Sequence, residues 1–507
     1  MRIAHTTQIV RLCVIAILLT LLGTHVVTTK ALAQTLDWAA PINISNTPNS
    51  SWFPDIAVDR AGNVHVVWCE TTQLARGEGE QILYTRRDEQ GWLAPNDLVA
   101  RQPDIRRNAI AIGSTGDLLM VFMDSRFRGW SLFFSSAPAM EAWSAAAWSP
   151  HRSVTAHGLN YMPDLAVDAI GVIHLLFDDK GRPPPDVDFA GYSDIYYRQS
   201  HDNGRSWSIP VNLSVSPVGS SRGRLAVGPD GVLHATWDDG WDRLSDLGEP
   251  TYSVYRASFD NGLSWSTPVT VAYPTTGTAQ LTAAADGSRG VMLVWRNTAH
   301  EGIYYQWSRD HGQTWSPPAA LPKILARSWD IPFDLYDMVT DSAGTIHLLA
   351  VGRERAERDA PLGLYHTAWD GRGWSPPECV FCGWGYPEYP RLAVHEGNRL
   401  HAVWFVRDNL WTRTNYEVYY SEAVSAAPRQ TAVPWPTATA TATAQPSPTA
   451  VPTATPLPTL AMTDQGFPED LYTEGSHVTR LAIAIAPVAG SILLLFALRA
   501  LWRRLRH

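Results

Sequence analysis

The chain has 507 residues, 45% of them hydrophobic and 18% charged, with a formal net charge of −9. That charge is spread without long runs and offers no basic footprint, so no nucleic acid partner is expected. There is no His-Glu-x-x-His, no nucleophile elbow and no Gly-rich phosphate loop followed by Lys, which argues against zinc proteolysis and nucleotide chemistry; no metal and no cofactor are expected.

Residues 1–33 predict a cleaved leader. Arg2 and Arg11 precede an apolar run from Leu12 to about Val27, and Ala31-Leu32-Ala33 supplies the small residues of a cleavage site, so the mature chain is expected to start near Gln34. From residue 36 to 425 the chain repeats: Trp68, Phe122, Phe177, Trp237, Trp295, Ala350 and Trp404 take equivalent places 54 to 60 residues apart. The clearest copies are PDIAVDRAGNVHVVW (54–68), PDLAVDAIGVIHLLF (163–177), RLAVGPDGVLHATW (224–237) and RLAVHEGNRLHAVW (391–404). Apolar residues alternate between Asp, Gly and Asn turns, as half-buried strands require when side chains change face at every residue. A Tyr-rich strand and a Trp-Ser-x-Pro strand complete each unit. Four short strands per unit predict an all-β, seven-bladed β-propeller. The last unit stops at EVYYSEA (417–423) without its fourth strand, while WAAPINIS (38–45) is a fourth strand without a unit. The N-terminal strand is therefore expected to close the ring and remove two exposed sheet edges.

Three units carry SHDNGRSW (200–207), SFDNGLSW (258–265) and SRDHGQTW (308–315). In Ser-x-Asp-x-Gly-x-Ser/Thr-Trp the Asp and hydroxyl side chains hold backbone N–H groups, the Gly takes positive φ and the Trp packs between sheets. The structural residues are Ser200, Asp202, Gly204, Trp207, Ser258, Asp260, Gly262, Trp265, Ser308, Asp310, Gly312 and Trp315. RRDEQGW (86–92) and AWDGRGW (368–374) are shortened copies. The pattern resembles the Asp box, or bacterial neuraminidase repeat, of the sialidase superfamily. The resemblance covers about 36–425 and implies a propeller, with six blades as the alternative count, and glycoside hydrolysis on the face opposite the boxes. It departs from that family where an Arg-Ile-Pro motif is expected, since Trp52-Phe53-Pro54-Asp55 stands there.

Alternating strands place the loops beyond the anchor aromatics on the face opposite the boxes, and long uneven loops on one rim are where recognition is expected. Glu70, Asp124, Asp178 with Asp179, and Asp238 with Asp239 follow the anchors of units one to four, whereas Arg296, Arg353 and Arg407 follow those of units five to seven. An acidic half facing a basic half could grip a carboxylate sugar; solvated or locally paired strand ends are the alternative. The resemblance implies a Tyr nucleophile, but nothing in the spacing of Tyr161, Tyr386, Tyr389 and Tyr416 selects one, and the catalytic residues stay unassigned. Trp130, Trp241, Trp384 and Trp411 are candidate sugar-stacking platforms. His65, His174, His234, His347 and His401 recur three residues before the anchors; ligands spread over separate blades cannot converge on one ion, so they read as blade structure.

Cys379 and Cys382 predict a local disulfide in an oxidising compartment; the state of Cys69 stays open. Residues 426–477 read as a Pro/Thr/Ala-rich stalk. Leu481–Leu498 is an 18-residue apolar stretch, about 27 Å as a helix, giving a single membrane helix over 478–502. Arg503, Arg504 and Arg506 hold the tail at 503–507 in the cytoplasm. The expected protein is a single-pass ectodomain whose partner is a glycan or other cell-surface ligand, with an exo-sialidase-type glycoside hydrolase and a protein-interaction scaffold as the other readings.

Overall fold

The computed structural model describes residues 35–431, apart from 75–76, 103–104, 126–129, 156–158, 182–190, 330–332, 334, 355–359 and 409–414. The leader, most of the stalk, the expected membrane helix and the tail lie outside the described residues.

The described strands form seven antiparallel sheets. Their first strands are Ser50–Val58, Ile105–Ile112, Asn160–Val167, Ser220–Val227, Thr278–Ala285, Tyr336–Thr340 and Tyr386–His395, numbered here as blades one to seven. Each first strand packs on the first strand of the next blade, and that of blade seven packs on that of blade one. The ring is thus a closed propeller of seven blades, and the six-bladed alternative is set aside. Closure uses the N-terminal strand: Ile42–Asn43 pairs antiparallel with Tyr416–Val424, bringing Ile42 opposite Tyr420. Further along, Leu36 N donates to the Glu378 carboxylate at 2.9 Å.

All seven anchor residues are at most 2% exposed and fill the blade centres, each aromatic contributing about 2–3 kcal/mol by burial. The recurrent histidines tie strands together. His174 Nδ1 meets the Tyr197 hydroxyl at 2.7 Å and Nε2 meets Asp168 at 3.3 Å; His65 repeats this with Tyr84 and Asp59. His234 and His401 keep the tyrosine but not the aspartate, because Gly228 and His395 stand at the turn. Burial therefore pushes their imidazoles down, to about 4 and about 3.

The Asp boxes lock neighbouring blades. In the second box, Gly262 N donates to Ser258 Oγ and Ser264 N to Asp260, both at 2.8 Å. Gly262 has φ +84°, and a Cβ there would stand 2.0 Å from the Tyr197 hydroxyl of blade three. Only glycine allows so close an approach. Cys379 and Cys382 form a disulfide, and Cys69 is a buried free thiol.

Beyond blade seven the chain stays on the box face. Asn398 Nδ2 donates to Ala427 O at 3.3 Å, Gln430 N to Glu396 O at 2.7 Å, and Ser342 Oγ to Pro428 O at 2.5 Å. Residues 427–430 are therefore held on the face of the Asp boxes.

Candidate functional site

Strand register separates the two faces. In blade three Ile173 pairs with Ser200 of the Asp box, whereas at the other end of the same strand Asp178 and Asp179 pair with Tyr161 and Asn160. That second end carries a repeated distortion. The first strands of blades one to five and seven each break register at one residue, and Phe53, Arg107, Met162, Arg222, Gln280 and Tyr389 adopt positive φ between 47° and 62°. A bulge re-aims its side chain, and each such backbone costs about 1–3 kcal/mol when no glycine relieves it. Here the bulges aim at the hub. The Arg107 guanidinium lies 3.5 Å from the Phe53 ring centre, 5.2 Å from Tyr161 and 5.7 Å from Tyr389, joining blades one, two, three and seven.

The acidic residues beyond the anchors are taken up by the fold. Glu70 is buried and accepts from Thr47, Asn49 and Ser51, each at 2.9 Å. Asp178 accepts the amides of Arg222 and Gly223 at the bulge of the next blade, and burial raises it to about 7. Asp238 does the same for Gln280 and Leu281 and also binds Arg222 Nη1 at 2.8 Å. Asp239 accepts from Ser220 at 2.8 Å, Asp179 from Gly181 N at 2.6 Å, and Asp124 is fully buried. Asp178 and Asp238 thus serve the amides of the neighbouring bulge, which need acceptors, while Glu70 and Asp239 are held by side-chain hydroxyl and amide donors of their own blades, the locally paired alternative for these strand ends.

Two of the three expected arginines, Arg296 and Arg407, are linked through Arg327, which was not expected. Arg407 and Arg327 donate to opposite oxygens of the buried Glu388 carboxylate. Arg296 Nη2 donates to the Arg327 carbonyl at 2.7 Å. Arg353 is diverted to Glu301, which is only half-buried, and leaves the cluster. Arg296 is the exceptional member. It is fully buried, yet its Nε and Nη1 meet no acceptor among the described residues. Its guanidinium carbon lies 5.1 Å from the Trp329 ring, which stands 6.1 Å from Trp241. Burial, with Arg327 close by, pulls its pKa well below the ordinary guanidinium value, to about 9. Gln280, the bulge residue of blade five, donates Nε2 to Phe333 O at 2.7 Å and leaves Oε1 without a donor among the described residues. An orphaned buried polar atom costs about 1–3 kcal/mol, and such atoms in native structures require an explanation. The arrangement offers a cation with spare donors, an amide acceptor and an aromatic wall to an anionic, hydroxyl-bearing ligand.

Trp241 is buried rather than exposed, and Trp130 is half-buried against Tyr161 at 5.4 Å. Trp384 is 55% exposed and packs on Phe381, and Trp411 lies outside the described residues. Of the tyrosines, Tyr389 and Tyr416 are buried, Tyr386 is half-buried, and the Tyr161 hydroxyl accepts from Arg107 Nε at 3.1 Å. Sequence reading missed Arg327, Glu388, Gln280 and Trp329. Only Gln280 and Glu388 had a signal, their place at or beside the residue that breaks each first strand.

Residues 185–426 match the family model described as a BNR repeat-like domain. No curated protein matches the chain. Among solved structures, a protein of unknown function from Dyadobacter fermentans is similar at 15% identity and TM-score 0.45, over 77% of this chain and 99% of that one. The NanB sialidase of Streptococcus pneumoniae is similar at 11% identity and TM-score 0.43, over 78% and 70% of the two chains. The intramolecular trans-sialidase of Ruminococcus gnavus is similar at 12% and 0.43, over 78% and 98%.

Proposed function

We propose that this chain, a sialidase-like BNR-repeat β-propeller, is a membrane-anchored extracellular receptor for a carboxylate-bearing glycan, bound at the hub opposite the Asp boxes. One observation carries the reading: a fully buried Arg296 with two N–H-bearing nitrogens that meet no acceptor among the described residues, beside Trp329. A ligand carboxylate would supply the missing acceptor by a charge-assisted hydrogen bond. Trp329 would swing aside to admit the sugar and then stack on it with Trp241. Glu388 holds Arg327 and Arg407 in place, so the cluster is preorganised before a ligand arrives.

The test compares the full chain in detergent with Arg296→Gln on an array of matched sialylated and desialylated glycans. Binding of the sialylated members alone, lost in the variant, supports the reading. Turnover of a fluorogenic sialoside that disappears in Arg296→Gln would move the assignment to an exo-sialidase. Neither binding nor turnover would refute both and leave a scaffold.

A further inference from the structure

The end of blade three opposite its Asp box sets three oxygen-bearing side chains in one row. Asn160 of the first strand lies directly opposite Asp179 of the second, and Asp179 directly opposite Asp194 of the third. Residues paired in this way share a face of the sheet, so the two carboxylates are neighbours, and like charges so placed repel. Burial, together with the charge of Asp194, raises the Asp179 carboxyl. Burial and both carboxylates also raise the hydroxyl of Tyr196, one step along the same face, so these groups lie within reach of one another.

The basic side chains of these strands are committed elsewhere. Lys180 Nζ bonds Asp242 at 2.7 Å, and the Arg198 guanidinium bonds the carbonyls of Val154, Trp207 and Ser208. Asp194 spends Oδ1 on Ser214 Oγ and Ser216 N, both at 2.7 Å, and accepts from Asn212 Nδ2 at Oδ2, at 2.8 Å. Asp179 spends Oδ1 on Gly181 N. Each carboxylate therefore keeps an Oδ2 able to accept more. Asn160 decides what they would accept. Its side chain is fully buried and favours the charged form of Asp179, yet its Oδ1 meets no donor among the described residues. A buried acceptor in that position requires an explanation, and a row of three acceptors has a common one.

We propose that this row is a calcium site, separate from the Arg296 cluster. Two carboxylates and an amide oxygen are hard donors, and calcium takes such oxygens in irregular geometry with water completing its shell. The row holds no thiolate or imidazole, the ligands that copper and zinc favour. The cation would lift the repulsion between Asp179 and Asp194, give Asn160 Oδ1 its partner and tie three strands together. Asp179 and Asp194 are half-buried, so the row opens to solvent on their side while Asn160 closes its inner end. Three protein oxygens place the affinity at the weak end of calcium sites, about 10⁻⁴–10⁻³ M.

Terbium, a luminescent substitute for calcium, tests the site in the full chain after dialysis against a chelator. Tyr196 should sensitise its emission, millimolar calcium should displace it, and Asp179→Asn should weaken both ions about tenfold or more. That variant keeps an acceptor for Gly181 N and removes the like-charge pair, so in chelator it should melt no lower than the wild type. Calcium should raise the melting temperature of the wild type and leave that of Asp179→Asn where it is. Asn160→Asp, which adds a carboxylate, should bind calcium about tenfold tighter, a gain that a purely structural amide would not give. No sensitised emission, emission that calcium does not displace, emission unchanged in Asp179→Asn, or emission lost in Arg296→Gln would overturn the site without touching the hub proposal.

Discussion

Replacing Arg296 with methionine should make the protein more stable and unable to bind its ligand. A guanidinium pulled by burial from its ordinary value down to about 9 is disfavoured as a cation by on the order of 5 kcal/mol at neutral pH. Methionine removes that penalty and keeps much of the side-chain volume. It also removes the bond from Nη2 to the Arg327 carbonyl, a charged hydrogen bond contributing about 1.5–3 kcal/mol. The net gain is about 2–3 kcal/mol, consistent with apolar replacement of buried charge elsewhere. Urea unfolding at pH 7.5 measures it. The sign of the pH dependence gives a second check. The folded value lies below the unfolded one, so the penalty is complete below about pH 9 and fades as pH rises toward the ordinary guanidinium value. Raising the pH from 7.5 to 10 should therefore recover about 1 kcal/mol in wild type relative to the variant. A variant less stable than wild type by more than about 1 kcal/mol would mean that the guanidinium already has its partner, and the hub proposal would lose its basis.

The buried histidines predict loss of stability in acid. His401 is held neutral, with its pKa lowered to about 3 by burial, so its contribution is complete above the unfolded value near 6.5 and is lost as pH falls toward 3. At pH 5 about 2 kcal/mol should be gone, and His401→Gln should flatten the pH 7 to pH 5 difference in urea midpoint by that amount; an unchanged slope would show the ring is not titrating on unfolding. At the boxes, Gly262→Ala should cost about 3 kcal/mol or more, because positive φ and the Tyr197 hydroxyl both oppose a Cβ. Gly371→Ala meets only the backbone term, about 1 kcal/mol. Equal losses in a thermal melt would contradict the open space around Gly371 and the close approach at Gly262.

The architecture was readable because it is written in local, repeated chemistry. Alternating apolar residues, turn glycines and Asp boxes act within one hairpin, and the orphan strand at 38–45 announced its own partner through composition. Spoke-like histidines could be set aside as ligands on geometry alone. The charges beyond the anchors were visible as a pattern, but their use was not. Whether Asp178 faces ligand or the amides of Arg222 and Gly223 depends on a bulge in another blade, 44 residues away. Arg353 pairs with Glu301 and Arg407 with Glu388 for the same kind of reason. Sequence determines what each strand buries, since burial follows the period of two. Tertiary closure decides which buried charge is satisfied, because acceptors for Arg296 must come from neighbouring spokes, and the ring supplies one carbonyl where the guanidinium has donors for more.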